Sequence, residues 1–418
     1  MNMLKQHSSR IHSMDAVRAI AMLLGIVLHS SIAYKLTSRP SWPTDDVIHS
    51  VYYNYLYSFI HSFRMQLFFL VAGFFARFLY MRIGEKAFIR HRLKRIALPF
   101  AAALIFIAPL SMLPFSYYHY WLGHPHQSFI QIMQAISPSL LRWNGMAHLW
   151  FLYYLIILYI VMLAAIWLDH ATGIVRKVES WVYRRILIFP GKFTLPLLAL
   201  PVFFISCLFR ELPIKSYTGF KPDLFLMSYY AFFFFLGHVI HHYYASRLEV
   251  FKKNALLYVL IGIFMTPLID YFYRIQFEEY SLGLFIITRG LFTFQTILLV
   301  FGFLGLSIRF LSSENYVLRY VSDASYWMYL IHFPLIAGTQ LWLIGSPVPP
   351  FLRFWIVNMV GMIIPLATYA WFVRYTFIGR ILNGPRTKRK RTTVQSGNPS
   401  YALFPEAKED ILLQRKMQ

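Results

Sequence analysis

Arg18 and His29 stand eleven residues apart in a stretch that begins Asp15-Ala-Val-Arg18 and ends Leu28-His29-Ser30-Ser31. On an α-helix this separation is about 16 Å, at 1.5 Å per residue. It is also close to three full turns, so both side chains point to one side. A neutral imidazole can take up a proton and return it near physiological pH. A guanidinium grips phosphate or carboxylate through a planar fork of donors. The pair therefore reads as an anion-binding group and a proton-transfer group on one helix face. Asp15, three residues before Arg18, is placed to orient it. In Phe59-Ile-His61-Ser-Phe-Arg64-Met-Gln-Leu-Phe68, the residues His61, Arg64 and Phe68 share a second face at i, i+3, i+7 spacing.

These side chains sit in segments that a membrane would have to hold. Of 418 residues, 58% are hydrophobic and 14% charged, against about 45–50% and 25% in soluble domains. That composition excludes a soluble enzyme and, apart from the tail, a disordered chain. Ten stretches approach the roughly 20 apolar residues that a spanning helix needs: 16–36, 54–80, 97–115, 149–168, 193–209, 223–243, 255–273, 284–308, 324–343 and 351–374. The expected fold is all-α and polytopic, with about ten transmembrane helices. Lys5 and Arg10 before an apolar stretch resemble a signal peptide, but without an A-x-A cleavage pattern the stretch reads as a retained first span.

The formal net charge of +23 suits a nucleic-acid binder or a membrane protein whose cytoplasmic loops are basic. Sorting the charges separates the two. With the N-terminus inside, 29 of the 40 Lys and Arg fall in cytoplasmic segments and 8 in outer ones. This bias predicts cytoplasmic N- and C-termini and no nucleic-acid partner. Three arginines remain within spans: Arg18, Arg64 and Arg289. The expected organisation is a cytoplasmic segment 1–14, a transmembrane domain 15–375 and a basic, flexible cytoplasmic tail 376–418. The tail's Arg386-Thr-Lys-Arg-Lys-Arg391 run reads as an orientation signal or a clamp on anionic lipid headgroups.

Other polar residues fall in or beside the spans. His29 and Arg64 lie at similar depth on consecutive helices, which predicts a shared buried site, because charge inside a membrane is costly and marks function. Arg90-His-Arg92-Leu-Lys-Arg95 is a basic entrance to the third span; it is plain positive-inside charge or a dock for an anionic cytosolic ligand. His148-Leu-Trp150 opens the fourth span, after the aromatic run Tyr117-Tyr-His-Tyr-Trp121, an interfacial belt or a sugar-stacking platform. His332 lies near mid-depth in the ninth span, which also carries Asp323 and Ser325. Neither His241-His242 nor His124-Pro-His126 has a thiol or carboxylate companion, so no metal site is expected. The lone cysteine, Cys207, excludes an intramolecular disulfide.

Taken together these segments resemble the membrane-bound acyltransferase-3 family over roughly residues 12–375. Five motifs carry the resemblance in order: Arg18-x10-His29, Phe68-Phe-Leu-Val-Ala72-Gly73-Phe, Arg92-x-x-Arg95, His148-Leu-Trp150-Phe-Leu, and Tyr329-Leu-Ile-His332-x-Pro334. Ala72 stands where the family commonly has serine. Asp15-x-x-Arg18 and Phe59-Ile-His-Ser-Phe-Arg64-Met-Gln66 are most similar to the glucan-modifying branch, the periplasmic-glucan succinyltransferases.

The resemblance implies transfer of an acyl group, succinyl or acetyl, from cytosolic acyl-CoA to a hydroxyl of an extracytoplasmic glucan or other polysaccharide, in a bacterial inner membrane. Acyl-CoA would be a co-substrate, with no bound cofactor. His29, Arg18, Arg64 and Asp15 would form the catalytic group. Arg92 and Arg95 would hold the donor's phosphates. His61, His148, Trp150, Arg289 and His332 are acceptor-side or structural candidates. Membrane lipids are the remaining expected partners. Two alternatives stay open: O-acetylation of lipopolysaccharide or a surface polysaccharide, and non-enzymatic transport of an anionic or saccharide substrate. The absence of an internal repeat counts against the transporter.

Overall fold

The structure is a computed structural model that describes residues 12–36, 42–44, 49–140, 142, 145–184, 194–245, 248–279 and 281–384. Within these residues the chain forms fourteen α-helices and no extended strand. They are α1 (His12–Ser31), α2 (Val51–Ile83), α3 (Glu85–Arg92), α4 (Leu98–Gly123), α5 (Phe129–Leu140), α6 (Trp150–Thr172), α7 (Ile174–Val182), α8 (Thr194–Ser206), α9 (Leu224–Tyr244), α10 (Ala255–Glu278), α11 (Leu282–Phe310), α12 (Tyr316–Leu343), α13 (Pro350–Thr368) and α14 (Phe377–Asn383). The protein is thus all-α and polytopic, as expected.

Each of the ten expected spans falls on a helix, and eight of these are long and apolar enough to cross a membrane. The other two differ for separate reasons. α8 has 13 residues, about 20 Å of helix against a hydrocarbon core of about 30 Å. α12 is long enough at 28 residues, but residues such as Asp323, His332 and Gln340 dilute its hydropathy. Its inward side is polar because it lines the site described below. The short helices α5, α7 and α14 were not legible as spans, and none is one.

Local chemistry fixes where the helices begin and stop. The Asp223 carboxylate accepts from Leu226 N–H at 2.9 Å at the start of α9, and the Asn315 side chain accepts from Val317 N–H at 2.9 Å at the start of α12. Gly84 (φ +74°) ends α2 and Gly173 (φ +67°) ends α6, where L side chains are disfavoured. Internal prolines Pro109 and Pro114 in α4 and Pro334 in α12 are tolerated because neighbouring helices satisfy the freed carbonyls.

Packing follows membrane rules. α2 and α9 approach so closely that a Cβ at Gly73 would strike the Phe234 carbonyl, and one at Gly237 the Leu70 carbonyl. Reciprocal small residues let the two backbones touch. Buried polar side chains tie helices together: Thr296 Oγ1 donates to Ser62 O at 2.9 Å, and Gln295 Nε2 to Thr266 Oγ1 at 2.8 Å. Large apolar residues such as Phe264, Phe106 and Trp371 point outward and exposed, as a lipid-facing surface requires. α14 lies at the start of the tail expected from 376; its Gly379 and Leu382 are buried, and Asn383 Nδ2 donates to Asp323 O at 2.8 Å. A compact unit ends at Pro385, and Arg386–Gln418 lies outside the described residues. So do the basic run 386–391, Lys5 and Arg10.

Candidate functional site

α1, α2, α4, α6 and α12 enclose a cavity of about 530 Å³. Arg18 and Arg92 line it at one end, with Tyr159 and Tyr326. Trp42, Phe115, Ser216 and Thr218 line it at the other. His29 and Arg64 lie between. The eleven-residue spacing therefore does put Arg18 and His29 on one wall of a shared space.

Three histidines meet in the middle of this cavity. The His29 and His332 ring centroids are 5.5 Å apart, and those of His148 and His332 are 5.3 Å apart. Phe333 separates the outer pair, edge-on to His29 at 5.1 Å and stacked on His148 at 5.0 Å. Two of the histidines have their tautomers set by backbone carbonyls. His332 Nδ1–H donates to Tyr329 O at 2.8 Å and Met328 O at 3.0 Å, which leaves Nε2 a buried acceptor with no partner among the described residues. His148 Nε2–H donates to Leu330 O at 3.1 Å, which leaves Nδ1 the acceptor. His29 Nδ1 has no partner among the described residues, so no hydrogen bond from that nitrogen fixes its tautomer. A proton can arrive at one of its nitrogens and leave from the other.

Arg64 reaches the site across α1. Its Nη1 fills the place that a Cβ would take at Gly25, one turn before His29 on the same face. A charged side chain at membrane depth costs about 2.5–3.5 kcal/mol on insertion scales. Arg64 makes no ion pair among the described residues, and its Nε lacks a partner. The guanidinium thus borders the cavity as a cation without a protein counter-ion. At the cavity's end Arg18 pairs with Asp15 at 3.5 Å and stays half-exposed.

The acyltransferase-3 profile, described as an acyltransferase domain, matches residues 11–370. The chain belongs to this family. Two relatives named glucans biosynthesis protein C show the extent of the likeness. One from Escherichia coli is 32% identical over 151 residues, 36% of this chain and 37% of that protein. This match thus spans little more than a third of the relative. One from Salmonella heidelberg is 26% identical over 336 residues, 78% of this chain and 82% of that protein. No solved structure matches.

In this acyltransferase-3 member the five motifs meet around one cavity, but not every expected residue lines it. Arg18, His29, His61, Arg64, Arg92, His148, Trp150 and His332 do. Asp15 reaches it through Arg18. The Arg92-x-x-Arg95 pair is split by a π-helical turn, Leu93–Ala97. Arg92 faces inward, its guanidinium 4.8 Å from the Tyr159 ring centroid and 5.0 Å from that of Phe88. Arg95 is turned toward Gly384 beyond α14. Arg289 lies away from the cavity: it is fully buried, and Nη2 donates to Phe209 O at 2.7 Å and Arg210 O at 3.0 Å. The run Tyr117–Trp121 is turned elsewhere, with Tyr118 Oη donating to Thr44 O at 2.8 Å. Gly73 packs against α9, while Ala72 lines the cavity.

Sequence reasoning missed Trp42, which lies parallel to the His29 ring at 6.4 Å. Its Nε1 donates to Gln340 Oε1 at 2.8 Å, and Gln340 Nε2 donates to Ser30 O at 3.0 Å. It also missed Tyr159 and Tyr326, along with Ser216 and Thr218, whereas Tyr329 stood in the fifth motif. Tyr326 stands three residues before Tyr329 on the span that carries His332, and that spacing was the one available signal.

Proposed function

We propose that the protein transfers an acyl group from acyl-CoA to a hydroxyl of a glucan or related polysaccharide on the other side of the bacterial inner membrane. The observation that carries this reading is the single cavity with cationic groups at one end, hydroxyl and aromatic side chains at the other, and His29 between. Acyl-CoA is a large anion that does not cross a bilayer. Its phosphates would stay with Arg92 and Arg18, with Arg95 behind them, while the thioester reaches inward. This places the Arg18 end in the cytoplasm, in accord with the 29 basic residues counted on that side.

The acceptor hydroxyl attacks the thioester carbonyl as the His29 imidazole takes its proton. The C–S bond then breaks, the imidazolium returns the proton to the leaving thiolate, and the acyl ester remains on the sugar. Arg64 faces the oxyanion formed in between, where a preorganised donor is worth most. The His332 ring, its centroid 5.5 Å from that of His29, packs beside the imidazole and holds it toward the substrates. No metal or bound cofactor enters this scheme.

The purified full chain in liposomes, given acyl-labelled acetyl-CoA or succinyl-CoA and a β-linked gluco-oligosaccharide, tests the reading. Label covalently attached to the oligosaccharide, seen by mass spectrometry, supports it. Movement of substrate across the bilayer without covalent transfer supports the transporter instead.

A further inference from the structure

Residues 207–223, between α8 and α9, form an irregular segment pinned at several places. Arg289 holds the Phe209 and Arg210 carbonyls. Met146 N–H donates to Thr218 O at 2.8 Å. Tyr153 Oη donates to Phe220 O at 2.8 Å, and Asp223 N–H donates to Tyr154 Oη at 3.1 Å. Gly145 (φ +136°) lets the chain pass against Thr218 O, where a Cβ would come within 3.1 Å. The segment is therefore a strap tied to α6, α11 and the turn that carries His148. A buried arginine committed to two carbonyls of a surface loop needs a reason, given the cost of desolvating it.

We propose that this strap is a glycan-acceptor subsite, and that Arg289 is a positioning residue acting through it. The inference rests on the reading of the cavity as an acyl-transfer site and adds where the sugar is held. Ser216 and Thr218 line the cavity at the end opposite Arg18. Beside them in the chain, Tyr217 and Phe220 are 44% and 42% exposed. Hydroxyl-bearing residues on the cavity wall and exposed aromatic residues beside them in the chain match a pyranose, which offers hydroxyls at its edge and an apolar C–H face. Loops pinned on a rigid frame commonly carry specificity. A hydroxyl of a sugar seated here points down the cavity toward His29.

The test uses the full chain with Ser216→Trp and, separately, Thr218→Trp, which add bulk at the mouth, and Arg289→Met with Arg289→Lys as its conservative partner. Binding of a tritiated β-linked gluco-oligosaccharide is measured alongside kcat and the KM for each substrate. The tryptophan variants should weaken oligosaccharide binding and raise its KM about tenfold, with the donor KM within twofold of the parent. Arg289→Met should raise the acceptor KM while kcat holds, and Arg289→Lys should recover most of the loss. Unchanged oligosaccharide binding in both tryptophan variants, or no binding by the parent, overturns the subsite. Oligosaccharide that binds the parent, is lost in the variants and is never acylated keeps the subsite and sinks the transfer reading.

Discussion

At the scale of single residues, the site depends on side chains whose places are set by others. His332 and His148 each spend one nitrogen on a backbone carbonyl, while His29 Nδ1 stays without a partner. His148 Nδ1 and His332 Nε2 are left without a partner among the described residues too, so what sets His29 apart is that no backbone carbonyl among them holds its ring. Arg64 depends on an absence: its Nη1 occupies the space beside Gly25 where a side chain would begin. Gly25→Ala should push the guanidinium away from His29. Overpacking of this kind costs about 1–3 kcal/mol of stability. We expect transfer to fall at least tenfold while the variant still inserts and purifies; activity equal to the parent would show that Arg64 need not lie across α1. Arg64→Lys should not substitute, because a point charge on a flexible stem lacks the planar fork.

Among elements, the crossing of α2 and α9 holds the second wall of the cavity, because Arg64, Phe68 and Ala72 all lie on α2. Gly73 and Gly237 permit that contact from both sides. Gly73→Val or Gly237→Val should lower the midpoint of thermal unfolding in detergent by several degrees, on the order of 1–3 kcal/mol. An unshifted midpoint in both would mean that the helices separate at no cost. Helix faces of this kind were legible in the sequence. The periodicity of spans one and two placed Arg18, His29, His61 and Arg64 correctly, because 3.6-residue geometry is local. The strap 207–223, Trp42 and the Gly25–Arg64 contact were not legible. Irregular segments carry no period, and a glycine does not record which distant side chain will cross it. α12 shows the limit in the other direction: lining a polar cavity lowers the hydropathy of a helix that has the length of a span.

For the molecule as a whole, the account needs two chemically different ends. The Arg18 end should face the cytoplasm and the strap should face outward. The single Cys207 makes this testable, since Cys207→Ser leaves a chain without thiols. On that background, Lys221→Cys in the strap should react with a membrane-impermeant maleimide in intact spheroplasts, and Lys177→Cys on α7 only after permeabilisation. The reverse pattern would invert the topology and the assignment of donor and acceptor ends. The central claim is that His29 moves the proton between acceptor hydroxyl and leaving thiol in a cavity reached from both ends. The most direct measurement is acyl transfer from labelled acyl-CoA to a β-linked gluco-oligosaccharide by the purified His29→Ala chain, beside the parent at equal folded amount. The account predicts that the variant still binds both substrates while transfer drops by about 10²–10⁴-fold, the usual contribution of general acid–base catalysis. Transfer by His29→Ala at the parent's rate would contradict it.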